Sequence, residues 1–277
     1  MRSKILKVLA YLGASITIAI LSFIVIYIII KGVPYLTPSL FALEYNSENV
    51  SMFPAIITTL LMIIFSLLLA LPLGIGTAIY LVEYATKNNK LVPAIRLATE
   101  TLAGIPSIIF GLFGRIFFVI TLGLSFSFIS GVLTLTIMIL PLIIRSSEEA
   151  LLAVNDSLRE GSFGLGAGKL RTSYKIVLPS ASAGILSGVI LAIGRIVGES
   201  AALIFTAGAV AQIPGMSETG SLFSDSARTL AVHMYYLSTE GLHINESYAT
   251  AFILLIIVVV INIFANFIQK KAALKTR

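Results

Sequence analysis

The chain has 277 residues, of which 57% are apolar and only 12% are charged, whereas a soluble domain of this size carries about 25% charged residues. So little polar surface excludes a soluble enzyme and predicts an integral membrane protein. The absence of cysteine also excludes disulfides, thiolate catalysts and cysteine metal sites.

Six apolar stretches are long enough to cross a membrane as helices, which takes about 20 residues each. In chain order they are 8–30, 54–82, 97–122, 128–144, 183–212 and 248–268. The first stretch resembles a signal peptide, but it is longer than such a segment and no small-residue cleavage site follows it. We therefore expect a retained first span, and an all-α fold in which residues 1–277 form one transmembrane domain with core spans within 54–268.

The positive charges lie on one side of these spans. Fifteen of the 19 lysines and arginines flank the N terminus, the 83–96 loop, the 145–182 loop and the C terminus. Because cytoplasmic loops carry the excess of Lys and Arg, both termini are predicted to be cytoplasmic in a multi-pass protein of the cell membrane. The same asymmetry accounts for the net charge of +6. It therefore indicates membrane lipid, and not nucleic acid, as the partner of the chain.

Only one predicted cytoplasmic connection is long, residues 146–180. Ser157 and Glu160 fit a capping box, which predicts a short helix that begins at Ser157. A second short helix, about 170–177, should end before Pro179. An ordinary solvated loop with one capped helix explains these features equally well.

The pair Gly168-Lys169 invites comparison with a phosphate-binding loop. That motif needs a glycine five residues earlier and Ser or Thr after the lysine, but Phe163 and Leu170 occupy these positions. No nucleotide or other cofactor is expected in this chain. If ATP drives the protein, a separate ATPase subunit binds the ATP and its magnesium.

The same loop resembles the EAA motif of ATP-binding-cassette (ABC) importer permeases, whose usual form is Glu-Ala-Ala-x3-Gly-x9-Ile-x-Leu-Pro. Gly-Ser replaces Ala-Ala here, which keeps the residues small. The resemblance implies a type I, MetI-like permease whose loop docks into a groove of the cytoplasmic ATPase. The residues to which it assigns this coupling role are Glu160, Gly161, Ser162, Gly166, Ala167, Leu178 and Pro179.

The fifth predicted span carries two charges, Arg195 and Glu199, which share one helix face at i and i+4 and can pair there. Ionisable residues at such depth face a cavity or a partner. One interpretation is a neutral pair that only fixes helix packing, which the small-x3-small patterns at 184–188 and 194–198 favour. The other is that Arg195 lines a translocation pathway and binds an anion through paired hydrogen bonds.

Residues 194–208 resemble the PstA family of phosphate-importer permeases, which typically shows Arg-x-x-Gly-Glu-Thr-Ala-Pro-Leu. Ser200 and Ala202 replace the Thr and the Pro. Residues 104–114 resemble the third-span signature of that family. The resemblance implies phosphate import, with Arg195, Glu199 and Ser200 on the substrate pathway, by a chain that is not itself an enzyme. It also implies a second homologous permease, ATPase subunits and an extracytoplasmic phosphate-binding protein as partners.

Three alternatives remain open on sequence. The chain could be the PstC-type sister permease, or it could serve another oxyanion such as molybdate, tungstate or sulfate. A self-sufficient secondary transporter would favour a longer chain or an inverted repeat, and it would leave the EAA-like loop unexplained. A metal site is not expected, since His233 and His243 lack acidic residues at ligand spacing, and Arg115 is interpreted as reaching to the membrane interface.

Overall fold

The computed structural model describes residues 2–86, 89–216 and 220–275, and within them the chain is helical, with no strand. Three helices are extended by wider π turns, Tyr80–Tyr84, Arg115–Thr121 and Ser173–Val177. The α-helices are α1 Arg2–Gly32, α2 Phe53–Ile79, α3 Leu91–Ala103, α4 Ser107–Gly114, α5 Phe128–Leu152, α6 Asp156–Gly164, α7 Lys169–Thr172, α8 Leu178–Val197, α9 Ala201–Ile204, α10 Leu230–Glu240 and α11 Ile244–Lys275.

Five helical segments are each long and apolar enough to cross a membrane. They run from 25 to 32 residues, and at about 1.5 Å per residue each exceeds the roughly 30 Å of a hydrocarbon core. They confirm the first, second, fourth, fifth and sixth predicted spans, although their bounds differ. The segments are Leu6–Tyr35, Phe53–Tyr84, Phe128–Leu152, Lys169–Val197 and Ile244–Lys271.

The third predicted span is broken. α3 and α4 meet at an angle of 103°, because Pro106 cannot continue a helix and disfavours the helical conformation of the residue before it. The pair still runs along α5: Arg96 binds Glu148 at 2.6 Å, and Gly114 lies against Thr134. These two positions on α5 are about 21 Å apart at the helical rise, so α3 and α4, counted as one bent span, give a sixth crossing.

The core of the molecule lies where α2, α5 and α8 meet. α8 packs on α5 through Gly184, whose missing Cβ leaves room for Ala150, and through Gly188, which faces Ser146. This confirms the close helix contact predicted for the 184–188 pattern. Gly194 and Gly198 lie in open space or against their own helix, so the 194–198 pattern makes no such contact.

The fourth and fifth spans end elsewhere than predicted. α5 continues through Pro141 to Leu152, so the segment after it begins near residue 153 and not at 146. α8 stops at Val197 instead of reaching residue 212. The chain beyond α9 is irregular because Gly208 adopts a φ of +92°, and this segment bonds to the start of α5, where the Ser127 N–H donates to the Thr206 carbonyl.

Candidate functional site

The predicted coupling loop contains the expected short helix with a different first turn. Asn155, and not Ser157, caps α6, because its side-chain oxygen accepts the Ser157 N–H at 3.0 Å. Asn is as good an N-cap as Ser, so the predicted capping box is wrong by two residues. α6 ends at Gly164, and Gly166 turns the chain with a φ of +81°, a left-handed conformation that glycine adopts without strain.

The second predicted short helix does not end before Pro179. α7 continues through the Ser173–Val177 π turn directly into α8, where Pro179 sits in the first turn. The Ser180 hydroxyl donates to the Ile176 carbonyl at 2.7 Å and so supplies a bond beside the missing proline donor.

A concavity of about 440 Å³ lies between α6 and the segment that follows it. It brings together four of the residues assigned to ATPase coupling, Gly161, Ser162, Gly166 and Ala167. The other three lie outside it: Glu160 and Pro179 are exposed, and Leu178 packs against a buried cluster of α2, α5 and α8. The lining consists of Ser157, Leu158, Gly161, Ser162, Leu165, Gly166, Ala167, Arg171 and Ile176.

Large apolar side chains around this concavity are exposed, a feature that the sequence interpretation missed. Leu165 is 91% exposed at the tip of the loop, and Leu158, Phe163 and Leu170 are exposed around it. Leu158, Phe163 and Leu165 lie outside the helices that are long enough to cross a membrane. Leu170 lies at the start of one of them, the Lys169–Val197 segment. Leu158 and Leu165 line the concavity together, and exposed apolar patches mark protein interfaces, which fits a docking role for this loop.

Arg159 joins the coupling loop to two spanning helices. Its guanidinium bonds the Glu83 carboxylate at 3.0 Å and the carbonyls of Leu151 and Val154 at 2.8 and 2.7 Å. It also reaches Asp156 at 3.0 Å. The side chains of Arg159 and Glu83 are only 14% and 5% exposed. Neither residue stood out in the sequence. The one signal that could have indicated this contact is the position of the Glu83 carboxylate directly at the end of an apolar span.

Arg195 lies near the middle of the membrane-spanning bundle. The contacts of Gly184 with Ala150 and of Gly188 with Ser146 fix an antiparallel register between α8 and α5. Extending that register places Arg195 level with Ile139, near the midpoint of α5. Arg195 is half-buried, and within the described residues its guanidinium has no ion pair and no hydrogen bond.

The sequence predicted that Glu199 could pair with Arg195, but the two side chains do not pair in the structure. α8 has ended by residue 198, so the i,i+4 geometry of a continuous helix is lost. Glu199 is buried, and its carboxylate accepts the Ala202 N–H at 3.0 Å at the start of α9. Ser200, half-buried at the N-cap of α9, makes no side-chain capping bond. The three predicted pathway residues therefore share one break in the fifth span but have separate contacts.

The two broken spans meet beside this site. Gly111 of α4 lies against the backbone of Ala201 and Ala202 in α9, where a Cβ would be 2.7 Å from the Ala202 Cα. Helices interrupted inside a membrane expose backbone polar groups, and transporters use such interruptions to build substrate sites near the midplane. In the sequence both segments stand out only as family signatures, and nothing there predicts that they touch.

On the predicted outer side, Arg228 and His233 form a second polar cluster. The Arg228 guanidinium lies over the rings of Tyr45 and Tyr236, with centroids 5.4 and 5.0 Å away, and approaches His233 Nδ1 at 3.5 Å. His243 is separate and lies 3.8 Å from Glu246. Across the described parts of the chain no three potential ligands cluster as a metal site would require.

Burial, and secondarily the charge of Arg228, lowers the pKa of His233 from 6.5 to about 4. The unfolded chain binds this proton below about pH 6.5, and the folded chain only below about pH 4. Stability from neutral His233 is thus fully present above pH 6.5 and is lost as the pH falls towards 4. We expect the thermal unfolding midpoint to drop across this window, and His233→Gln to reduce the drop.

The matched control is His243→Gln on the same side of the molecule, which should keep the wild-type pH dependence. An unchanged slope in the His233 variant would assign the acid sensitivity to other groups.

Comparison with known proteins identifies the family. The model of the family described as "Binding-protein-dependent transport system inner membrane component" matches residues 70–277. The chain belongs to this family. The permease is 34% identical over 270 residues to YqgI of Bacillus subtilis, a probable ABC transporter permease protein. The match covers 93% of this chain and 91% of the relative.

Other relatives carry a substrate in their names. The phosphate transport system permease protein PstA 1 of Mycobacterium tuberculosis is 36% identical over 213 residues, or 76% of the permease and 66% of the relative. PstA of Pasteurella multocida is also 36% identical, over 210 residues, with 75% of the permease and 74% of the relative covered.

Solved chains of ABC transporters have the same fold. A chain of a bacterial alginate ABC transporter superposes with a TM-score of 0.68 at 17% identity, covering 95% of the permease and 94% of that chain. A chain of the methionine transporter MetNI in an inward-facing conformation gives 0.61 at 20% identity, with 80% and 94% covered. These likenesses confirm the all-α, MetI-like architecture of a membrane permease.

Proposed function

We propose that the permease carries inorganic phosphate into the cell as one transmembrane subunit of an ABC importer. The observation that carries the proposal is Arg195, a half-buried arginine level with the middle of α5 that has no carboxylate partner among the described residues. A lone cation at that depth is costly unless it faces a polar pathway or a partner. A guanidinium also presents paired donors that match the oxygens of phosphate.

The surroundings of Arg195 suit a transport step more than a tight binding site. Glu199 is near in sequence, but its carboxylate is held at the start of α9, so it adds negative charge to the region without neutralising the arginine. That charge weakens anion binding, and a transported anion must leave again. Ser200, which has no capping bond to satisfy, is free to donate its hydroxyl to a passing oxyanion.

The chain performs no covalent chemistry in this proposal. Membership of the family implies an ATPase and a substrate-binding protein as partners, and the phosphate assignment adds a second, homologous permease and an extracytoplasmic phosphate-binding protein. Alternating access arises when the two permeases rock against each other within the core spans, residues 54–268. The segment between α5 and α8, residues 153–177, with its concavity beside Gly166, receives the motion of the ATPase.

The test is ATP-dependent uptake of labelled phosphate into proteoliposomes that hold the assembled complex and its binding protein. We expect uptake that excess sulfate and molybdate leave unchanged. Tetrahedral oxyanions present similar oxygen geometry to Arg195, so competition by molybdate or sulfate would assign the cargo to that anion and overturn the phosphate proposal. Uptake that persists without ATP or the binding protein would overturn the importer mechanism itself.

A further inference from the structure

We propose that the coupling loop drives α2 directly, through two contacts that hold the cytoplasmic end of that helix. We call these contacts the α2 clamp: Arg159 with Glu83, and Lys169 with Tyr84. Covalent continuity already joins the loop to α5 and α8, but α2 is separated from it in the chain by α3, α4 and α5. The inference rests on the coupling role of this loop in the proposed function and makes Arg159 and Glu83 positioning residues.

The first contact is buried and has several bonds. Arg159 holds the Glu83 carboxylate with Nε and Nη2, each at 3.0 Å. Nη2 also donates to the Leu151 carbonyl in the last turn of α5, and Nη1 donates to the Val154 carbonyl just beyond it. A helix leaves its final carbonyls unsatisfied, so this one side chain closes the end of α5 and fixes it to α2. Because breaking a buried pair leaves an uncompensated charge, the contact resists separation when the loop moves.

The second contact keeps the loop from pivoting about the first. The Lys169 ammonium lies over the Tyr84 ring, 5.3 Å from its centroid, a distance at which a cation and an aromatic face attract. α6 and α7 are themselves joined by a 2.8 Å hydrogen bond between the hydroxyls of Ser162 and Thr172. Arg159 and Lys169 therefore grip adjacent residues of α2 from one connected unit.

The α2 clamp and the docking surface occupy different faces of the loop. None of the four clamp residues lines the concavity between α6 and the following segment, which contains Gly161, Ser162 and Gly166. The clamp instead faces the Tyr80–Tyr84 π turn of α2. Loss of the clamp is thus expected to leave the ATPase bound but to prevent its motion from reaching α2.

α2 carries the motion to the opposite side of the protein. Near its other end, the Thr59 hydroxyl accepts the Leu230 N–H at 2.9 Å in a buried contact. Leu230 begins α10 and packs in one cluster with Ala55 of α2 and Leu237 of α10. A displacement of Glu83 along or about the helix therefore reaches α10 through buried contacts, which links the coupling loop to the predicted outer surface.

The experiment compares Glu83→Gln with the wild type in the full reconstituted complex. This change keeps the side-chain size and an oxygen acceptor but removes the charge. We expect the ATPase subunits to remain bound and basal ATP hydrolysis to persist. Stimulation of hydrolysis by the binding protein, and uptake, should fall at least about tenfold, as expected for loss of roughly 1.4 kcal/mol of coupling.

The matched control is Arg145→Gln, which removes an exposed ion pair with Glu149 on the same side of the molecule and should leave stimulation unchanged. Because the chain has no cysteine, a tether can be tested as well. In Glu83→Gln we would add Tyr84→Cys and Lys169→Cys and join them with a short thiol cross-linker. Recovery of stimulation on cross-linking, and its loss on cleavage of the linker, supports a mechanical role that mere help in folding would not produce.

The proposal is overturned if the binding protein still stimulates ATP hydrolysis fully in Glu83→Gln without a cross-link. It is also overturned if the ATPase is lost from that complex, because the contact would then serve assembly and not coupling. If Glu83→Gln fails to accumulate, Lys169→Met provides the test, since Lys169 is exposed and its replacement should not impair folding. Stimulation of ATP hydrolysis at the wild-type level in Lys169→Met overturns the α2 clamp. Failure of the phosphate assignment is distinguishable, because it abolishes phosphate uptake in the wild type and in every variant alike. Stimulated hydrolysis in the wild type would then still report on coupling.

Discussion

Arg195→Ala is expected to abolish transport while the complex still assembles with its ATPase. Arg195 has no partner among the described residues, so its removal breaks no internal bond and should not lower the stability of the fold. A charged hydrogen-bonding group contributes about 1.5–3 kcal/mol, so an anion that loses paired bonds to it should be bound about 10- to 100-fold more weakly. The measurement is ATP-dependent uptake per assembled complex.

Two variants separate charge from geometry. Arg195→Lys keeps the positive charge but not the planar donors, and it should recover only part of the uptake. Arg115→Gln removes the exposed arginine whose guanidinium lies over Phe126, 5.5 Å from the ring centroid, and should retain uptake near the wild-type rate. Normal uptake by an assembled Arg195→Ala complex would exclude this arginine from the pathway.

Gly166→Glu is expected to detach the ATPase or to uncouple it from transport. Gly166 has a φ of +81°, which costs a residue other than glycine about 1–3 kcal/mol, and it lines the proposed docking concavity. The new side chain would strain the turn and place a carboxylate where the ATPase docks. Co-purification of the ATPase with the affinity-tagged permease measures the loss, with uptake as the second readout.

The chain supplies a close control for this variant in Gly164→Glu. Gly164 is exposed in the same loop and has open space around it, but it has no positive φ and does not line the concavity. We expect this variant to retain most ATPase binding and uptake. Equal retention of the ATPase by both variants would place the docking surface elsewhere.

The parts of the fold that the sequence predicted depend on local composition. Apolar length identified five spans because a helix that crosses lipid needs about 20 predominantly apolar residues in a row. Charge placement predicts the orientation on a similarly local basis, since each lysine or arginine acts independently of the tertiary fold, and the orientation stays a prediction. The third span shows the limit of this reasoning: its composition is continuous, but one proline inside it bends the helix by 103°.

Features that depend on tertiary contacts were not predictable. The i,i+4 argument for Arg195 and Glu199 assumed a helix through residue 212, whereas α8 ends at Val197 and the following residues bond to the start of α5. The bond between Glu83 and Arg159 joins residues 76 positions apart. No periodicity within either segment encodes it. In α6, Asn155 and Ser157 were both suitable caps, and only the folded backbone chose between them.

The exposure of α1 has a consequence for how freely its sequence can change over evolution. From Leu6 onwards nearly every residue of α1 is exposed, and the helix packs closely on α11 at Gly32, where a Cβ would be 2.5 Å from the Tyr248 carbonyl oxygen. Within this chain alone, most positions of α1 are constrained only by the need to be apolar, so Leu, Ile, Val and Phe are interchangeable there as far as its own fold is concerned. Selection for a particular residue should be strong at Gly32, because a side chain there has no room beside α11.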